Sequence, residues 1–266
     1  MAELFGFKIT KANQGGGSDG FTSPSTDDGT LDVVSGGGHY ASVLDMDGRD
    51  RNEIELIQRY RDIAQQPECD SAIEDIANEA IVSDERDKCV SLSLDNLKVS
   101  PNIKSKIREE FDEVLRLLDF DSKGHDIFRR WYVDGRIYYH KIIDTKSPRK
   151  GIKEVRYIDP RKIKKVRETR KEQDPKFGLE MVKGIENFYL YNDKGWDVPN
   201  GTSSGIRITA DSITYCPSGL VDMHRGTVLS YLNKAIKPVN QLRMIEDALV
   251  IYRISRAPER RIFYID

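Results

Sequence analysis

Cysteine is scarce. The 266 residues hold three, Cys69, Cys89 and Cys216, an odd number and never in CxxC spacing. That excludes a disulfide framework and a cysteine-ligated zinc site, and the three read as ordinary thiols of a reducing compartment. Long apolar runs are missing too: nothing approaches the ~20 residues that a membrane-spanning helix needs. Met1 to Lys8 show no basic start followed by a long apolar stretch, so no signal peptide is expected. Histidine is limited to His39, His125, His140 and His224, with neither HxH nor HExxH spacing. His140 lies among tyrosines in a predicted strand and reads as a packed residue, and His125, beside Gly124, as a turn residue. Cys216 precedes a proline in another predicted strand and reads as a buried thiol. The glycine triplets 15–17 and 36–38 are not followed by Lys-Ser/Thr at the start of a helix, which excludes a phosphate cradle. Gly178 and Gly184 read as single turn glycines. Asp84, Glu85, Asp87 and the acids between residues 68 and 79 read as solvated helix faces. No nucleophile stands beside a base, and no acids fall in a metal-binding spacing. The expectation is a protein without catalytic residues, metal or cofactor, and not an enzyme.

What is present is charge, unevenly spread. The net of -2 conceals 8 basic and 20 acidic residues over 1–97, 21 and 12 over 98–170, and 13 and 12 over 171–266. The segments carry -12, +9 and +1, which points to separate surfaces with separate partners, or to subunits meeting through opposite charges. With 38% hydrophobic and 32% charged residues, the chain has a globular composition and the length of one large or two ordinary domains.

Residues 1–48 are rich in Gly, Ser, Asp and Thr and read as a flexible arm, because few apolar groups are there to offset ordering entropy. Helices are predicted over about 50–66 and, from Pro67, over 67–82, each with apolar residues at 3.6-residue spacing. A third begins at the Ser100-Pro101 cap, with Ile103, Ile107, Phe111, Val114, Leu115 and Leu118 along one stripe. A short helix over 124–134 leads into strands at 136–144, 152–158, 162–168, 184–191 and 212–216. A long helix over about 227–256, bent near Pro238, closes the series. Its apolar residues form two stripes, Val239, Leu242, Ile245, Leu249 and Tyr252 beside Met244, Ala248 and Ile251. The polar strip between them holds Asn240, Arg243, Glu246, Asp247 and Arg253. A helix this apolar must be covered on most sides. Residues 260–266 read as the start of a strand.

The basic segment interleaves cations with aromatic and apolar groups at 128–132 and 161–167, a pattern that suits phosphate contact and base stacking. It supports a DNA-binding or nuclease-like reading through residues 98–170, although Trp131 and Phe128 at helical spacing also suit a core. Arg253, Arg256, Arg260 and Arg261 either offset the dipole of the long helix or form a basic collar facing DNA or an acidic partner.

Whole phrases go further than any short motif. Phe128-Arg129-Arg130-Trp131-Tyr132-Val133-Asp134 continues through Arg136-Ile137, His140-Lys141-Ile142-Ile143-Asp144, Gly151-Ile152-Lys153-Glu154 and Asp159-Pro160-Arg161. Later come Ser218-Gly219-Leu220-Val221-Asp222, Lys237-Pro238-Val239-Asn240-Gln241-Leu242, Glu246-Asp247-Ala248, Val250-Ile251-Tyr252-Arg253-Ile254 and Arg256-Ala257-Pro258-Glu259-Arg260-Arg261. In order and spacing, from about residue 50 onward, these closely resemble the portal vertex proteins of T-even-type contractile-tailed phages.

The resemblance implies an α+β fold: a flexible arm at 1–48, a helical and mixed-sheet wing domain at 49–226, a stem helix at 227–257 and the start of a clip at 258–266. It also implies a dodecameric ring at one head vertex of the virion, assembled in the host cytoplasm. The ring would form the DNA entry and exit channel, nucleate head assembly, and dock the packaging motor and later the neck. Implied partners are further copies of the chain, the major capsid protein, the terminase motor, neck proteins and passing double-stranded DNA, with a transient membrane association during head assembly. By the same resemblance Leu242, Ile245, Leu249 and Tyr252 would pack between stems, and Arg253, Arg256, Arg260 and Arg261 would face the motor or DNA at the clip. Family members run on through more clip, a second stem helix, a tunnel loop, further wing and a crown, so the chain reads as the first portion of a longer subunit.

Overall fold

A computed structural model describes residues 2–4, 7–9, 28–35, 49–82, 89–144, 146–147, 151–173, 180–193, 195–196, 205–222, 226–256 and 263–265. The fold is α+β. Helices α1 (Arg49–Ala64), α2 (Pro67–Ala80), α3 (Pro101–Leu118) and α4 (Phe120–Asp134) come first, and α5 (Ile236–Arg256) comes last. Prolines at the first helical position start α2 and α3, where the missing N–H is not needed. Ser100 holds the extended geometry of a cap but makes no side-chain capping bond. Asp119, in the left-handed region at φ 50°, turns α3 directly into α4. The fourth helix therefore begins four residues before the expected 124, and His125 lies inside it rather than in a turn.

The strands sort into two main sheets. An antiparallel three-stranded sheet runs β5–β4–β9, from β4 (Arg136–Ile143), β5 (Ile152–Ile158) and β9 (Ile213–Pro217). A mixed four-stranded sheet runs β3–β6–β7–β8, from β3 (Leu31–Ser35), β6 (Ile163–Gln173), β7 (Glu180–Tyr191) and β8 (Ile206–Thr209). The β6–β7 hairpin is long and antiparallel, pairing Ile163 with Tyr191 through to Gln173 with Glu180. Its register shifts beside Arg170 and Gly184, so Gly184 sits at a bulge inside β7, not in a turn. Short pairs β1–β2 (Ala2–Leu4, Phe7–Ile9) and β10–β11 (Val221–Asp222, Thr227–Val228) complete the strands.

Strand alternation puts Ile163 and Tyr189 on one face of the four-stranded sheet, where they pack with Tyr138 of β4 and Ile213 of β9. The two sheets are thereby joined. The opposite face carries Val166, Phe188 and Leu190 under Trp196. The helical core is separate: Tyr60 and Ala64 of α1, Ile73 of α2 and Val133 of α4 close around Leu232. Burial holds the Tyr189 phenol up to about 12 and that of Tyr138 well above its ordinary value.

Two departures concern the arm and a cysteine. Most of residues 1–48 lies outside the described residues, but 28–35 is part of the body. β3 runs parallel to β6, the Lys165 ammonium pairs with Asp28, and the Tyr215 hydroxyl donates to the Asp28 carbonyl at 2.7 Å. The Leu31-Asp32-Val33-Val34 stretch, with two β-branched residues, was the available signal. Cys216 is exposed, because β9 is an edge strand and alternation turns its side chain outward.

Candidate functional site

The long final helix is shorter than the sequence implies and differently made. Residues 227–228 are strand β11 and 231–235 form a 3₁₀ turn, so α5 begins at Ile236. Pro238 falls in the first turn of α5, where it costs no hydrogen bond, and starts the helix rather than bending it.

The base of α5 is pinned by polar contacts. Ser230 is 1% exposed. Its hydroxyl donates to the Tyr132 carbonyl at 2.9 Å and accepts from the Leu232 N–H at 3.0 Å, capping the 3₁₀ turn. The Tyr60 hydroxyl donates to Asn233 Oδ1 at 3.0 Å, and the Tyr231 hydroxyl to the Ser218 carbonyl at 3.2 Å. Ser218 Oγ donates to the Leu229 carbonyl at 2.6 Å. Gly135, at φ 71°, ends α4 beneath this segment, and a Cβ there would lie 2.7 Å from the Leu229 carbonyl oxygen. Only glycine fits both demands. Arg136, buried at the start of β4, pairs with Glu53 of α1 and donates to the Val228 carbonyl at 2.6 Å. Helices, sheet and the approach to α5 thus share one buried joint.

Aromatic rings cover its outer side. Tyr231 stacks on Tyr132 at 5.1 Å and 5°, and Phe128 and Trp131 close the group. Phe128, Trp131 and Tyr132 are the rings that the sequence pattern offered as a stacking platform for bases, and they pack against one another and against Tyr231.

Beyond this joint α5 has no cover. Every residue from Asn240 to Arg256 is exposed, with Met244 at 71%, Ile251 at 67% and Ile254 at 69%. Leu242, Ile245, Leu249 and Tyr252 stand exposed with them. At 100° per residue, Val250 and Ile254 fall within the polar strip read from the sequence, so apolar side chains surround the helix almost completely. A surface helix on one domain keeps a single apolar stripe. This one offers a surface on several sides, and burying each large side chain contributes about 1.5–3 kcal/mol relative to full exposure. At the tip the Arg256 guanidinium lies 4.5 Å over the Tyr252 ring, and Ser255 Oγ donates to the Tyr252 carbonyl at 3.0 Å. Arg253 and Arg256 occupy the last turn, where they offset the helix dipole. Arg260 and Arg261 lie outside the described residues. Phe263, Tyr264 and Ile265 are exposed and form no strand.

The two cation clusters of the basic segment, at 128–132 and 161–167, are occupied by internal contacts. Arg129 pairs with Asp70, Arg130 lies 5.0 Å over the Tyr157 ring, and Arg161 donates to Asp159 at 2.9 Å. Lys162 pairs with Asp193 at 3.4 Å, Lys164 lies 4.5 Å over Trp196, and Lys165 holds Asp28. A cleft of about 480 Å³ between α1, α4 and β5 is lined by Arg61, Arg129, Arg130, Asp126, Asp134 and Asp159. Arg61 fills much of its charge demand, donating to Asp134 at 2.7 and 2.8 Å and to Asp159 at 3.1 Å. Burial alone would raise the Asp159 carboxyl, but the hydrogen bonds from Arg161 and Arg61 outweigh it and hold the group well below the usual carboxylate range. Among the described residues no three His, Cys, Asp or Glu side chains are grouped to hold a metal ion, and no helix is long and apolar enough to cross a membrane.

The uncovered helix was legible in sequence and its joint was not. Gly135 directly after a helix is the one part of the joint with a local signature. Tyr60 and Ser230 take partners 173 and 98 residues away in the chain, which no local pattern marks.

The sequence has relatives. A family model described as Bacteriophage T4-like portal protein (Gp20) matches residues 53–266. The chain is 42% identical over 265 residues to the portal protein of Vibrio phage KVP40, an alignment covering 92% of this chain and 50% of that protein. It is 34% identical over 251 residues to the portal protein of Salmonella phage ViI, covering 90% of this chain and 44% of that protein. The chain spans about half the length of the curated relatives it matches.

Proposed function

We propose, since this chain belongs to the bacteriophage T4-like portal protein family, that it serves in a phage portal ring whose subunits are held together through α5. The observation that carries this reading is the helix itself: rigidly seated at one end, apolar on nearly all sides, and exposed from Asn240 to Arg256. Neighbouring copies are its natural cover, because a closed ring presents each subunit with the same helix on either side. Leu242, Ile245, Leu249 and Tyr252 then pack between stems. Residues 49–226 form the wing, and 258–266 lead into the clip.

In this reading the ring is the DNA entry and exit channel at one head vertex of the virion. It nucleates head assembly, contacts the major capsid protein, and docks the packaging motor and later the neck through a clip that Arg253, Arg256, Arg260 and Arg261 approach. The subunit is structural and acts by geometry and electrostatics rather than by bond chemistry. A channel wall works best with weak, sequence-independent contact to phosphates, because tight ion pairing would hold the DNA in place. The engagement of Arg129, Arg130, Arg161, Lys162, Lys164 and Lys165 with their own chain fits that requirement and disfavours a nuclease-like or DNA-binding role for residues 98–170.

The test is Ile245→Asp together with Ile251→Asp in the full-length protein. Both side chains are exposed in the single subunit, so its thermal unfolding should move by no more than about 0.5 kcal/mol. Ring formation, read by sedimentation, should be lost. Intact rings from the double variant would remove α5 from the interface.

A further inference from the structure

The surface of α5 does not dictate which of its sides a neighbour takes. At 100° per residue the exposed Met244, Ile245, Leu242, Val250 and Ile254 fall in turn around the whole circumference, with no gap wider than about 100°. A helix with one apolar seam fixes its own register against a partner, and a helix apolar all round does not. Something outside α5 must therefore choose the side and the angle it presents.

The joint at its base can do so. The 3₁₀ turn Tyr231–Ala235 runs into α5 without a loop, and Ile236 already has helical dihedrals of φ -52° and ψ -51°. Whatever moves the turn moves the helix. Three elements grip it. Ser230 Oγ, at its cap, donates to the Tyr132 carbonyl of α4 at 2.9 Å, and the Tyr60 hydroxyl of α1 donates to Asn233 Oδ1 at 3.0 Å. Between α4 and β4, the Gly135 carbonyl accepts from the Ser218 N–H at 2.8 Å, and its Cα leaves no room for a side chain. A Cβ there would lie 2.7 Å from the Leu229 carbonyl oxygen and 2.8 Å from the Ser230 N and Cα. These are backbone atoms and cannot swing aside, so the whole segment must shift. The 21 residues of α5 extend about 31 Å, so a tilt of about 5° at the base carries the tip about 2.7 Å.

We infer that this joint, made by Gly135, Ser230 and the Tyr60–Asn233 bond, sets the number of subunits in the ring by fixing the tilt and rotation of α5 against the body. The inference rests on the ring reading above. A head-to-tail interface closes only when its rotation divides a full turn, and among rings of ten to fifteen copies one subunit more or fewer changes that rotation by only about 2–3°. The apolar contact between stems supplies attraction on every side, and the joint supplies the angle. Gly135, Ser230 and Tyr60 are thus positioning residues: they touch no neighbour and act through α5.

The test is native mass spectrometry of the full-length protein, counting subunits per ring. The unmodified protein should give one ring size. Gly135→Ala should spread the assemblies over two or more sizes or open chains, with no single size above about half. Tyr60→Phe, which keeps the buried aromatic ring and removes one hydrogen bond, should bring in a second size at about a tenth of the rings or more. Circular dichroism and thermal unfolding establish that each variant is folded, and if Gly135→Ala does not fold, Tyr60→Phe decides alone. Folded variants whose rings keep the unmodified size, even in lower yield, would overturn the inference, as would folded variants that no longer assemble. An unmodified protein that stays monomeric would overturn the ring reading and this inference together.

Discussion

Asp159 shows how much one residue holds. It follows β5, accepts from Arg61 of α1 and Arg161 of its own turn, and so ties helix to sheet. Its carboxyl is ionised in the fold at pH values where an ordinary one would take up a proton. A carboxyl depressed in this way contributes stability that is present above the unfolded value of about 4 and lost as pH falls through the folded one. Asp28, whose carboxyl is also lowered, with burial opposing and the Lys165 hydrogen bond prevailing, acts with the same sign. Acid unfolding should therefore begin below about pH 4. Asp159→Asn should lower stability at pH 7 by about 2 kcal/mol and flatten the loss between pH 5 and 2, as read by chemical denaturation at each pH. A variant with the unmodified pH profile would show that Asp159 is not the group being titrated.

At the scale of elements, local sequence and distant packing divide the credit. Pro67, Pro101 and the 3.6-residue spacing of Ile54, Ile57 and Tyr60 mark helices because those signals sit within one or two turns. The alternation from Arg136 to Ile143 marks β4 for the same reason, and the uncovered α5 was visible from its composition alone. β3 was not, because its place is set by β6, more than 130 residues away. The short β8, β10 and β11 likewise depend on partners rather than on pattern. Residues 227–235 looked helical because their apolar content matches a helix, but Ser230 and Val228 are claimed by Tyr132 and Arg136 instead. The anchoring of β3 can be tested. Lys165→Met removes the ammonium that pairs with Asp28, and amide exchange at Leu31 to Ser35 should accelerate about tenfold while the β4–β5 amides stay protected. Unchanged exchange at β3 would assign its stability to backbone pairing alone.

The whole molecule leaves α5 exposed from Asn240 to Arg256. The helical core draws on α1, α2 and α4, Tyr138, Ile163, Tyr189 and Ile213 join the sheets, and the joint at Ser230, Gly135 and Arg136 sets where α5 leaves them. The near-neutral charge of -2 is the sum of acidic and basic segments. The apolar helix asks for neighbours, and the ring proposed above would give every subunit two. The most direct measurement is electron microscopy of the full-length protein, purified without other phage components. Rings with an axial hole, and α5 lining the contact between adjacent subunits, are the predicted result. Discrete monomers, or rings in which α5 remains exposed to solvent, would contradict it.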